Sequence, residues 1–84
     1  MENFAIVNFQ PGDYAHIVAV FNNEGEKLFQ TTAPAEDLNN CIKAVVNKFE
    51  IKKVRMNGSK LYLEKFATEL KNEYSMTDVD IVIL

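Results

Sequence analysis

The sequence predicts a mixed α/β domain with the element order β-β-β-α-β-α-β. Its opening third holds three apolar or alternating runs separated by residues with turn chemistry. Two later stretches repeat apolar residues at helical spacing, and each is followed by a short apolar run of strand length.

The first run, Phe4 to Phe9, is apolar at nearly every position, which suits a central strand covered on both faces. Gln10-Pro11-Gly12-Asp13 follows, where Pro fixes its own φ and Gly accepts a positive one, so a hairpin leads into Tyr14 to Phe21. A second turn at Asn22-Asn23-Glu24-Gly25 precedes Glu26 to Thr32, which alternates polar and apolar like an edge strand. Pro34 belongs in the first turn of a helix, where a missing N–H costs nothing, and Glu36 and Asp37 complement the positive end of the helix dipole. Leu38, Cys41, Ile42, Val45 and Phe49 then form one stripe, and the helix ends near Glu50. Ile51 to Met56 reads as a short strand closed by Asn57-Gly58-Ser59, where Asn57 or Ser59 can cap a second helix. That helix carries Leu63, Phe66, Ala67, Leu70 and Tyr74 on one stripe, with Lys60 and Glu64 paired outside it. Val79 to Leu84 is a buried-type strand.

Size and composition bound the function. The 84 residues, 48% of them hydrophobic and only three of them Gly and two Pro, read as a single domain over residues 1–84. A chain of this length buries about 60 to 65% of its unfolded surface, so modest stability is expected. No run approaches the length of a membrane span and the first residues do not resemble a signal peptide, so a cytoplasmic protein is expected. Cys41 is the sole cysteine, which excludes an internal disulfide and a cysteine-built zinc site within one chain. The sole histidine, His16, sits on an apolar strand and reads as a packed or rim residue. Net charge is −3, and the nine basic residues are eight lysines and Arg55, so nucleic acid is not expected as a partner. Lys48, Lys52, Lys53 and Arg55 read as a solvated rim around a strand start.

An antiparallel meander followed by β-α-β resembles the ribonuclease H-like core. The chain's Phe9-Gln10-Pro11-Gly12 is similar to the hydrophobic-Asp-Pro-Gly that commonly ends the first strand in that superfamily's Holliday-junction resolvase branch. The resemblance implies a five-stranded mixed sheet of order 3-2-1-4-5, a ferredoxin-like variant with an added hairpin being the competing arrangement. It also implies a two-metal nuclease site with carboxylates on helices and at central positions of the first and fourth strands. Here those positions hold Asn8 and Gln10, with Met56-Asn57 ending the fourth strand, and amides are poor ligands for a hard divalent cation. Asp13, Asp78 and Asp80 remain, in a turn and beside the last strand. The expectation is a degenerate site with no catalytic residue, no metal and no cofactor. Asn57, Gly58 and Ser59, where a parallel strand hands over to a helix N-terminus, are the candidate ligand-binding residues.

Right-handed crossovers in the order 3-2-1-4-5 put both helices on one face. Strands one, two and five are apolar at both parities, so the opposite face would be apolar and bare. A homodimer through that face, or through an edge strand, is the simplest solution, and a heterologous protein partner is the next. The favoured function is therefore a small acidic non-enzymatic protein-interaction domain, an accessory factor or inhibitor of the kind phages and mobile elements encode. A divalent-metal-dependent nuclease and a small-ligand or nucleotide binder at residues 57–59 are the alternatives.

Overall fold

The computed structural model describes residues 2–10, 12 and 14–84. Its elements are β1 (Phe4–Asn8), β2 (His16–Phe21), β3 (Lys27–Ala33), α1 (Ala35–Phe49), β4 (Lys53–Asn57), α2 (Lys60–Asn72) and β5 (Asp80–Ile83). The five strands form one sheet in the order β3-β2-β1-β4-β5. β1 is antiparallel to β2 and parallel to β4, β3 is antiparallel to β2, and β5 is parallel to β4.

Strand alternation sorts the side chains into two faces. Ala5 and Val7 of β1 lie level with Val54 and Met56 of β4, and all four are buried in a single core. Val18 and Val20 of β2 join them, as do Leu38, Ile42, Val45 and Val46 of α1 and Leu63 and Leu70 of α2. α1 lies over β2 and β3, α2 over β4 and β5, and the helices touch each other, so one face of the sheet carries both. Fully burying a Leu or Val contributes roughly 1.5–3 kcal/mol, and this one-sided core is where that contribution is concentrated.

The boundaries shift where an apolar residue serves a turn. Tyr14 is not in β2: it is 96% exposed, and the ladder begins at His16. Ile51 is not in β4. Glu50 takes the left-handed conformation at the end of α1, and the N–H of Ile51 donates to Val46 O at 3.0 Å, so Ile51 plugs the helix end as a buried residue. Pro34 stands at the N-cap, one position before the first helical residue. Tyr74 lies beyond α2, where its hydroxyl donates to Asn40 Oδ1 at 2.8 Å and ties the two helices. Neither expected cap forms: Ser59 occupies the N-cap of α2 without a side-chain bond, and the Asn57 amide is turned onto the sheet face. Lys60 and Glu64 do meet, at 3.9 Å, as an exposed pair that contributes little.

Candidate functional site

The ends of β1 and β4 bring the sequence-predicted residues side by side. Asn8 and Asn57 are the last residues of these parallel strands and lie in register. Asn57 Nδ2 donates to Asn8 Oδ1 at 3.0 Å, so the two amides satisfy each other at the carboxyl ends of the two strands. Gln10 follows two positions later, and its backbone N–H donates to His16 Nδ1 at 3.0 Å. Pro11 and Asp13 lie outside the described residues. Asp80 opens β5 level with Lys53, at the opposite end of the sheet from Asn8, so neither it nor the nearby Asp78 can join the amides. Among the described residues no three Asp, Glu, His or Cys side chains gather at one point.

Gly58 has a packing role. Its φ is +140°, and a Cβ there would stand 2.5 Å from Phe9 O, against backbone that cannot step aside. The N–H of Phe9 donates to Asn57 O at 2.8 Å, so the turn from β4 into α2 is stapled to the end of β1. A close approach of two backbones therefore accounts for the glycine.

Phe9 is the hub of this end of the molecule. Its ring stacks on His16 at 4.2 Å and meets Tyr62 at 5.4 Å and Phe66 at 5.3 Å. His16 is buried, a packed residue as its sequence context suggested. A shallow cleft of about 420 Å³ opens beside this cluster, between the N-terminus of α1 and α2, lined by Phe9, Ala35, Glu36, Tyr62, Lys65 and Phe66 among others. A more polar hollow of about 540 Å³ lies at the amino end of the sheet, with Lys43, Lys52, Glu50 and Asp78 on its walls. Neither contains Asn57, Gly58 or Ser59. Cys41 lies half-buried on α1, and burial pushes its thiol above the ordinary value, away from the thiolate a nucleophile needs.

The larger surface feature is the sheet face without helices. Phe4 and Ile6 of β1, Ile17, Ala19 and Phe21 of β2, and Val82 of β5 lie on it, outside the helix-side core. Apart from the buried Ala19, each is half-buried, because neighbours shield one another laterally: Phe4 and Phe21 stack with ring centroids 5.5 Å apart. Arg55 stands among them. Its cross-strand neighbours are Ile6 and Val82, and its guanidinium carbon is 5.1 Å from the Phe4 ring centroid. The expected solvated rim is therefore split. Lys48 reaches over the rings of Phe29 and Phe49 at the end of α1, whereas Lys53 and Arg55 belong to the open face. The signal was the alternation Lys53-Val54-Arg55-Met56-Asn57, with the even apolar positions inside and the odd polar ones outside.

No protein-family model matches this chain, and no curated protein matches it in sequence. The likeness is structural. Pelota from Archaeoglobus fulgidus, whose crystal structure reveals inter-domain structural plasticity, superposes with a TM-score of 0.65 at 14% identity, over 98% of this chain and 26% of that one. A member of the Ppx/GppA family from Aquifex aeolicus gives 0.55 at 12% identity, over 99% of this chain and 35% of that one. The chain thus spans between a quarter and little more than a third of these neighbours, and identities so low show a shared fold alone.

Proposed function

We propose that this chain is a small acidic non-enzymatic protein-interaction domain on a degenerate ribonuclease H-like scaffold, an accessory factor or inhibitor that engages a second protein surface through its open sheet face. The observation that carries the reading is the face itself: an apolar centre of Phe4, Ile6, Ile17 and Phe21, with both helices on the other side of the sheet. Sheets with apolar side chains on both faces are ordinarily covered on both. A second copy of the chain or a different protein would complete the packing. The paired amides Asn8 and Asn57, in place of carboxylates, weigh against metal-dependent nuclease chemistry. A cytoplasmic setting suits a protein whose one cysteine is a free thiol.

The test is a selection from a display library of random peptides on the immobilised protein, repeated with the Ile6→Lys/Phe21→Lys variant. Peptides that bind the parent and lose the variant support the reading. Peptides that bind both equally would overturn it, provided circular dichroism shows the variant folded.

A further inference from the structure

We infer that the open face is built for a heterologous protein segment that sets a carboxylate, flanked by apolar side chains, onto Arg55; this rests on the interaction reading above and names the chemistry of the partner. Arg55 is the chain's only arginine, and it stands half-buried in the middle of β4 with apolar neighbours on both sides. Among the described residues it has no side-chain hydrogen bond and no ion pair: the one ion pair is Lys60 with Glu64. Its five N–H donors are therefore left to water. Any surface that seals the apolar centre also strips that water, and a covered guanidinium without a partner is strongly unfavourable. The covering surface must return acceptors, and a carboxylate does so best because it matches the guanidinium fork in a bidentate pair.

A second copy does not supply one. The apolar centre lies between β1 and β2, whereas the carboxylate among the strand residues of this face, Asp80, lies on the edge strand β5 beside Lys53. Aligned packing of two such faces allows two simple twofold arrangements. With the axis along the strands over the apolar centre, β4 crosses onto the partner copy's β3, whose residues on this face include Gln30 and Thr32. With the axis across the strands at the level of Ile6 and Val82, the middle of the sheet, β4 meets β4 and Arg55 faces its own equivalent. Neither places an acid on Arg55. The molecule's net charge of −3 also disfavours a polyacidic strand, nucleic acid included, so the fitting partner carries one or a few carboxylates within an apolar segment.

The experiment extends the peptide selection. Selected peptides are expected to share an Asp or Glu between apolar residues, and to weaken about thirty-fold or more when Arg55 becomes Met or when the peptide acid becomes its amide. Arg55→Lys should retain part of the affinity, and Arg55→Glu should recover binding to a peptide whose acid is replaced by Arg. Peptides lost on Ile6→Lys but indifferent to Arg55→Met would overturn this inference and leave the interaction reading standing. Peptides indifferent to Ile6→Lys, or an empty selection, would sink both. Two further results count against the inference: a dimer in sedimentation that Ile6→Lys abolishes, and a single-stranded oligonucleotide that displaces the peptides in an Arg55-dependent way. Thermal melts of each variant show that losses of binding are not losses of fold.

Discussion

Gly58 is the residue with least freedom to change. Ala at this position must hold a φ of +140° and thrust its Cβ to 2.5 Å from Phe9 O, so Gly58→Ala should cost about 2 kcal/mol or more in urea unfolding. Gly25→Ala separates the two causes, since its φ is +85° but nothing lies within 4 Å of the added carbon, and it should cost only about 1 kcal/mol. Equal losses at both sites would show that the stapling of β4 to β1 is not a constraint. The amide pair gives a second prediction. Asn8→Asp with Asn57→Asp would set two carboxylates side by side, lowering stability by about 1 kcal/mol at neutral pH through like-charge repulsion. If the scaffold once held metal here, Mn²⁺ should restore the melting temperature of that variant and leave the parent unmoved; a variant insensitive to Mn²⁺ would count against the degenerate-site reading. Cys41 adds a pH argument. Its thiol is raised by burial, so the folded chain holds the proton longer than the unfolded one; any stability from this is full below the unfolded thiol value and lost as pH rises through the folded one. Alkylation of Cys41 in mildly alkaline buffer should accordingly be slower in the native protein than in urea.

At the scale of elements, the sequence made types and order readable, because each period is imposed by burial against one core. Leu63 and Leu70 are fully buried while Leu61 is 76% exposed on the same helix. Leu63→Ala should therefore cost about 2–5 kcal/mol and Leu61→Ser less than about 0.5. Boundaries were less legible, since a buried residue looks the same in a strand and in a turn. Ile51 is apolar and inside, yet it closes α1, because Glu50 reverses the chain with a φ of 53°. The same geometry predicts that Glu50→Gly raises stability by up to about 1 kcal/mol, a gain visible as a higher urea midpoint with unchanged slope. Arg55 is the residue whose place the local sequence hides best. A cluster of cations in sequence suggests one solvated patch, but alternation along β4 separates Lys53 and Arg55 from Lys48 by the thickness of the sheet. Asn57, Gly58 and Ser59 stand at the strand-to-helix turn that their sequence indicates, but the contact that explains Gly58 comes from Phe9, far away in sequence, and local pattern carries no trace of it.

For the whole molecule, a two-layer arrangement with a one-sided core predicts an asymmetric response to charge. Lysine at Ile6 and Phe21 should leave the helical signal intact and improve solubility at high concentration, whereas lysine at Val7 or Val54, which are wholly buried on the helix side, should abolish cooperative unfolding. Circular dichroism and the sharpness of the thermal transition read the difference, and equal tolerance of both pairs would contradict the assignment of faces. The strand order also sets a distance in time as well as space. β1 finds β2 and β2 finds β3 across short turns, but Asn8 and Asn57 join from 49 positions apart, so the parallel half of the sheet waits on the closure of a long loop. The meander can template the later strands, with β1 offering an unsatisfied edge until β4 arrives. Truncating Val18 should then slow refolding, while truncating Val54 should chiefly hasten unfolding.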